Sequence, residues 1–115
     1  MDNKLLLIGG FLGEEVELIK GYSDVEILTI CDEDTDCVVK EFIDKGSSGV
    51  SPIDLRVILL HNFQREEIFN FINFYKSLKL PKPIFAMITE HSINWKIKDL
   101  LYHLVQEEKE IRGRG

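Results

Sequence analysis

Hydrophobic and polar positions follow two kinds of pattern along this chain: short continuous apolar runs and longer stretches with helical spacing. Residues 57–60 and 84–88 are apolar throughout and have the length of strands buried on both faces. Between them, apolar residues recur at every third or fourth position over 68–78, which indicates an amphipathic helix. A second such stripe follows over 97–105, and Asn94 is its expected N-terminal cap. The second half of the chain therefore predicts the order strand, helix, strand, helix.

The first half of the chain shows a shorter version of the same order. Residues 4–8 and 25–31 are strand-like runs, and the second is rich in β-branched side chains. A helical stretch follows each run. The second of these helices is expected to begin at Asp34 or Thr35, which are good caps, and to end at Gly46. The same four elements are thus predicted twice.

The two halves also align with each other position by position. Residues 5–8 match residues 57–60, and we expect pseudo-repeats over 4–46 and 56–106. Two βαβα units in tandem predict a small α/β domain with four parallel strands in the order 2-1-3-4 and helices on both faces. The ferredoxin-like βαββαβ order is the alternative, and the predicted helix between the second and third strands counts against it. Residues 110–115 lose the apolar stripe and are expected to form a disordered tail.

Composition narrows the class of protein. A chain of 115 residues, 44% hydrophobic and 30% charged, suits one globular domain spanning residues 1–115. Its net charge of −6 disfavours nucleic-acid binding, which needs clustered Lys and Arg. We expect a cytoplasmic protein without membrane contact, because no signal peptide and no apolar run of roughly 18 residues is present. Two cysteines, Cys31 and Cys37, are then expected to be free thiols. Abundant Ile, Lys and Glu are typical of a thermophile or an AT-rich genome.

Short motifs in the second half point to a family. They are residues 58–63, the helix start at 66–68, the strand end at 86–89, the pair Asn94-Trp95 and the pair Leu100-Leu101. These motifs resemble an uncharacterised prokaryotic family, the domain of unknown function 3783. The chain departs from the expected Gly-Phe-Ser turn, because His-Asn-Phe-Gln stands at residues 61–64. The resemblance implies a small α/β domain and transfers no catalytic residues.

Candidate ligand-binding residues follow the predicted strands. In a doubly wound parallel sheet, ligands bind beyond the carboxyl ends of the strands, at the switch point between neighbours. The sequence therefore predicts one crevice there, lined by Gly9, Gly10, Asp32, Asp34, His61, Asn62 and His91. A bare Gly-Gly is more typical of a turn than of a phosphate site. The acids at 32–36 are more typical of a helix cap than of a metal site.

Three aromatic residues are candidates for a protein interface. At 100° per residue, Trp95 and Tyr102 point away from the apolar stripe of the last predicted helix, and Phe69 lies at the edge of its own stripe. Trp and Tyr are enriched in interfaces. The alternative is that Trp95 folds over the preceding loop while Tyr102 is half covered.

These features favour a non-enzymatic interaction or regulatory module that forms a homodimer and takes no cofactor. A small-molecule or metal binder at the predicted crevice is the alternative. A metal-dependent hydrolase using Asp32, Asp34 and His91 is a third reading, and no residue is assigned a catalytic role.

Overall fold

Strands and helices alternate along the computed structural model, which describes residues 4–22, 25–46 and 49–113. The strands in these ranges are β1 (Leu5–Gly9), β2 (Glu26–Thr29), β3 (Val57–His61) and β4 (Ile84–Met87). The α-helices are α1 (Gly13–Ile19), α2 (Val39–Lys45), α3 (Arg65–Ser77) and α4 (Ile97–Gly113). Short 3-10 turns at Asp32–Asp34 and Ser92–Asn94 precede α2 and α4. The predicted order of elements is confirmed.

The four strands form one sheet in the predicted order β2-β1-β3-β4, but the sheet is mixed. β1 runs parallel to β2 and β3 runs parallel to β4, whereas β1 and β3 are antiparallel with Leu7 opposite Leu59. The prediction of a purely parallel sheet is therefore wrong. The pattern of apolar residues did not reveal this, because a strand buried on both faces has the same continuous run in either direction.

Each face of the sheet is covered by one pair of helices. Alternate residues of a strand point to opposite faces, so Leu6 and Leu60 pack beneath α1 and α3 while Leu7 and Leu59 pack against α2 and α4. Both clusters are apolar, which explains the uninterrupted hydrophobic runs of β1 and β3. With β1 and β3 antiparallel, α1 and α3 lie on the same face.

Matching positions in the two halves have the same backbone geometry. Gly10 and Asn62 follow β1 and β3, and both have a positive φ, of 78° and 64°. Asn is among the few residues besides Gly that tolerate this conformation. The first turns of α1 and α3 also agree, because Glu15 and Glu67 each accept a hydrogen bond of 2.8 Å from the backbone N–H three residues earlier.

Helices α2 and α4 begin later than the sequence predicts. Asp34 and Thr35 belong to the turn before α2, whose N-cap is Val38. Asn94 likewise ends the turn before α4, which begins at Ile97. These side chains therefore cap short turns, and the predicted helix caps at Asp34, Thr35 and Asn94 are wrong.

The two segments that precede α2 and α4 bind each other instead. The N–H of Val39 donates to the carbonyl of Trp95, and the N–H of Ile97 donates to the carbonyl of Cys37, both at 2.8 Å. These reciprocal bonds satisfy backbone donors that side-chain caps would otherwise satisfy. They also hold the two halves together on the face covered by α2 and α4.

The last helix extends beyond the apolar stripe that predicted it. α4 continues to Gly113, although the stripe ends near residue 105. The residues that extend it include Glu107, Glu108 and Lys109, which are strong helix formers. The predicted disordered tail is thus helical over 110–113, and residues 114–115 lie outside the described residues.

Candidate functional site

The residues predicted to form one crevice lie at opposite ends of the sheet. Because β1 and β3 are antiparallel, Gly9 pairs with Val57 whereas His61 pairs with Leu5. The length of the pairing, roughly 13 Å at about 3.3 Å per residue, separates the two ends. At one end, the carboxyl ends of β1 and β2 carry Gly9, Gly10, Asp32 and Asp34. At the other end, the carboxyl ends of β3 and β4 carry His61, Asn62 and His91. The predicted common crevice does not form.

Gly9 and Gly10 are packing and turn residues at their end of the sheet. A Cβ on Gly10 would stand 2.4 Å from the carbonyl oxygen of Leu55, and one on Gly9 would stand 2.4 Å from Cδ1 of Ile53. The chain that leads into β3 therefore crosses directly over both glycines. Close backbone approach and a positive φ account for these residue types without a ligand.

The acidic cluster at 32–36 has structural partners. Asp34 is buried, and its carboxylate accepts a hydrogen bond of 3.0 Å from the N–H of Cys31. Glu33 accepts hydrogen bonds from the backbone of Val50 and Ser51. Bonds from its own N–H and from that loop lower the pKa of Glu33. The cluster thus fastens the loop before β3 to the end of β2.

A metal centre built on Asp32, Asp34 and His91 is not formed. Asp32 and Asp34 follow β2, whereas His91 follows the opposite edge strand, β4. Within the described ranges, no group of three His, Cys, Asp or Glu side chains is placed to hold a metal ion. The hypothesis of a metal-dependent hydrolase therefore loses the three side chains proposed to bind its metal ion.

Half of the predicted crevice survives as a pocket at the carboxyl ends of β3 and β4. It has a volume of about 510 Å³, and its lining includes His61, Asn62, Thr89, Glu90 and Lys40. His91 does not line this pocket and contributes instead to a groove along the outer edge of β4.

A partly buried ion pair was not predicted from the sequence. Nη1 of Arg56 lies 3.2 Å from both carboxylate oxygens of Glu15, and its guanidinium carbon lies 4.7 Å above the centroid of Phe11. A hydrogen bond from the N–H of Leu12, together with Arg56, lowers the pKa of Glu15. The signal in the sequence was the match between Lys4 and Arg56, the basic residues directly before β1 and β3.

The matching ion pair joins Lys4 to Glu67. Each pair connects the strand start of one half with the helix start of the other half. One acid at the start of each of α1 and α3, Glu15 and Glu67, therefore has a counter-charge from the opposite half of the chain. Of these two pairs, the Arg56 pair is the better buried, because its side chains are 25% and 10% exposed whereas those of the Lys4 pair are 36% and 28% exposed.

Trp95 and Tyr102 share a groove beside α4. This aromatic groove has a volume of about 620 Å³, and its lining includes Trp95, Tyr102, His103 and Val38. Trp95 is 38% exposed and Tyr102 is 68% exposed. The Trp95 ring meets the His103 ring edge-on at 5.5 Å, and His103 Nε2 lies 2.7 Å from a carboxylate oxygen of Glu107.

Trp95 is positioned by the turn before α4 and not by the helix itself. Its backbone is extended, with φ −85° and ψ 156°, and its carbonyl accepts the hydrogen bond from Val39. The prediction that Trp95 lies on the last helix is therefore wrong, although its side chain is exposed. Phe69 is 58% exposed but lies on α3, across the sheet from α4.

A second groove runs between the outer edge of β4 and α4. It has a volume of about 350 Å³ and is lined by Phe85, Ala86 and Met87 on one side and by Leu100, His103 and Leu104 on the other. Trp95 and His103 line this β4-edge groove and the aromatic groove alike. The two grooves therefore form one continuous surface around these two rings.

The comparison with known families adds one match. Residues 56–111 match the model of the Domain of unknown function family (DUF3783). The second half of the chain carries a DUF3783 region. This confirms the resemblance seen in the motifs, and the DUF3783 region contains β3, α3, β4 and most of α4. Trp95, Tyr102 and the whole β4-edge groove lie within it.

Searches of curated proteins and of solved structures return no match to the chain. Among the described residues, no helix combines the length and the apolar character needed to cross a membrane.

Proposed function

We propose that this chain is a non-catalytic, cytoplasmic protein-interaction module that self-associates through the surface around Trp95 and Tyr102. The observation that carries the proposal is the exposure of these two rings in one groove, whereas Phe63, Phe71 and Tyr75 pack inside the α1–α3 face. Large aromatic side chains are the commonest anchors of protein interfaces. Neither ring belongs to the two core clusters on the faces of the sheet.

The distribution of charge on α4 favours a second copy as the partner. Lys96 and Lys98 outnumber Asp99 at the start of the helix, whereas the glutamates outnumber the two basic residues over 107–112. Two copies of α4 packed antiparallel would place basic starts against acidic ends. Complementary charge of this kind selects orientation and partner.

We also propose that the two halves descend from one duplicated βαβα unit. The paired turns at Gly10 and Asn62, the matching caps of α1 and α3 and the exchanged ion pairs support this origin. A protein that already joins two such units through antiparallel strands has a geometry suited to symmetric self-association.

Light scattering over a range of protein concentrations tests the proposed function. We expect a dimer whose dissociation on dilution changes the fluorescence of Trp95, the single tryptophan of the chain. Tyr102→Ser should weaken the dimer at least ten-fold, since Tyr is a frequent hot-spot residue. Leu18→Ser, which removes an exposed apolar side chain on α1, is the matched control and should leave the dimer unchanged. A monomer at every concentration would contradict the proposal.

Small-molecule binding at the pocket between the ends of β3 and β4 is the second candidate. It is favoured by a cavity of about 510 Å³ that presents an imidazole, an amide and the amine of Lys40 together. A thermal-shift screen of small acids tests it, with Lys40→Ala as the variant that should abolish any shift. No shift with any acid would remove this candidate.

A further inference from the structure

The outer edge of β4 presents backbone groups that point away from the sheet. The N–H groups of Ile84 and Ile88 donate to the carbonyls of Arg56 and Leu60, at 3.0 and 2.9 Å. Since donors alternate along a strand, the N–H and C=O groups of Phe85 and Met87 point outward. No hydrogen bond within the described part of the chain uses these outer groups. β4 therefore offers two outward donors and two outward acceptors.

This edge is complementary to itself. In an antiparallel pair of β4 strands centred on Ala86, Phe85 stands opposite Met87 of the second copy and exchanges both hydrogen bonds with it. Met87 exchanges two hydrogen bonds with Phe85 of the second copy in the same way, which gives four backbone hydrogen bonds in total. Ala86, the only alanine in the chain, meets its own copy at the centre, where side chains approach most closely.

The charges that flank β4 agree with the same register. Lys82 and Glu90 lie at equal distances in sequence from Ala86, one on each side, and both are exposed. Antiparallel pairing centred on Ala86 brings Lys82 of each copy towards Glu90 of the other. A one-residue slip would remove both this match and the exchange between Phe85 and Met87.

We propose that the second copy binds by pairing β4 with β4 in antiparallel orientation about Ala86, which extends the two sheets into one of eight strands. This inference rests on the proposed self-association and specifies its geometry. A twofold axis perpendicular to the sheet keeps α4 of both copies on the same face. The two β4-edge grooves then close against each other, with Trp95 and His103 at the contact. The arrangement repeats the antiparallel pairing of β1 and β3 inside the chain.

The other edge strand, β2, is less suited to pairing. Glu26 is an exposed acid within this strand, and charged side chains discourage pairing at an edge. Beyond its end, the N–H of Asp32 already donates a hydrogen bond of 2.8 Å to the carbonyl of Ser51 in the loop that Glu33 holds in place. On the β4 side, Pro83 limits pairing to a short segment, which favours a closed dimer over an open assembly.

Amide hydrogen exchange measured by NMR tests this geometry on the unmodified chain. The amides of Phe85 and Met87 should exchange at least ten-fold more slowly at concentrations where light scattering reports a dimer than in dilute monomer. The outward amides of Ile27 and Thr29 on β2 serve as controls and should exchange rapidly at both concentrations. A dimer in which Phe85 and Met87 remain unprotected would overturn the strand pairing and leave the proposed self-association standing. A chain that is monomeric throughout would overturn both.

A charge exchange gives an independent test on exposed residues whose substitution leaves the core intact. Lys82→Glu and Glu90→Lys should each weaken the dimer roughly ten-fold, because each variant creates two repulsive contacts about the axis. The double variant Lys82→Glu/Glu90→Lys should restore the affinity of the original chain. Equal affinities in all four proteins, or a double variant weaker than either single one, would overturn the register.

Discussion

Replacing Arg56 with Ala should destabilise the fold more than the removal of an exposed charged side chain. The substitution leaves the buried carboxylate of Glu15 with its hydrogen bond from Leu12 but without a counter-charge. Removing one partner of a fully buried pair costs about 3–5 kcal/mol, and the partial exposure of Arg56 lowers this figure. Loss of the contact with the Phe11 ring adds about 0.5–1 kcal/mol. We expect a net loss of about 2–3 kcal/mol in the free energy of unfolding.

The matched control is Lys4→Ala, which removes the equivalent cation from Glu67. That pair is more exposed and is screened by solvent, so its loss should cost less stability than the loss of the Arg56 pair. A double variant, Arg56→Met/Glu15→Gln, removes both charges while Gln keeps its ability to cap α1. It should recover most of the stability lost in Arg56→Ala, because no buried charge is left unpaired.

Equilibrium unfolding in urea at pH 7 measures all of these differences. The slope of the free energy against denaturant should be unchanged among the variants, so that midpoints can be compared directly. If Arg56→Ala and Lys4→Ala lost equal stability, burial would not determine the strength of these pairs. If the double variant were no more stable than Arg56→Ala, the cost would lie in lost packing and not in an unpaired carboxylate.

Three further predictions concern single positions. The pKa of Glu15 is lowered in the folded chain from its ordinary 4.5, so the ionised carboxylate stabilises the fold above that pH and this stabilisation is lost as the pH falls through the folded pKa. In Glu15→Gln, the free energy of unfolding should therefore decrease less steeply with falling pH below about pH 5. Gly10→Ala should lower the free energy of unfolding in urea by about 2 kcal/mol or more, because the new Cβ would meet the backbone of Leu55 at a positive φ. Asn62→Gly at the matching turn should change that free energy by less than about 0.5 kcal/mol, because glycine tolerates a positive φ. Tyr75→Phe should cost about 1 kcal/mol in thermal unfolding, because it leaves the carbonyl of Pro81 without its hydrogen-bond donor.

Periodicity predicted the elements of this fold well, because each element has a local signature. The continuous runs at 5–8 and 57–60 became β1 and β3, and the spacing over 68–78 became α3. Even the order of strands followed from the likeness of the halves. Helix starts were less predictable, because Val39 and Ile97 are satisfied by backbone partners that are distant in sequence.

The direction of one half relative to the other has no local signature. Apolar runs buried on both faces read alike in both directions, and each βαβ unit has the same right-handed crossover whichever way it points. The predicted crevice required β1 and β3 to be parallel. Because they are antiparallel, Gly10 and Asn62 lie at opposite ends of the sheet. The exposure of Tyr102 was predictable, because this residue is absent from the apolar stripe of α4. Trp95 precedes α4, so helical spacing does not account for its exposure.

The alignment of the two halves also contains information about ion pairs, as the Arg56–Glu15 pair shows. Arg56 and Lys4 occupy matching positions, as do Glu15 and Glu67, and each cation binds the acid of the other half. When a cation and an acid each recur at matching positions of two similar units, the cation of one unit can pair with the acid of the other if the units meet about a twofold axis. The same reasoning, applied to Lys82 and Glu90, supports the proposed dimer.

Small-angle X-ray scattering at increasing concentration tests self-association at the edge of β4 most directly, because it reports mass and shape together. The Cα radius of gyration of one chain is 13.6 Å. Two sheets of four strands joined edge to edge have centres roughly 19 Å apart at a strand spacing of about 4.8 Å, which gives a dimer with a radius of gyration of about 17 Å. We expect twice the mass of the 13.3 kDa chain together with that radius. The mass of a single chain and a radius near that of the monomer at every concentration would contradict self-association at this edge.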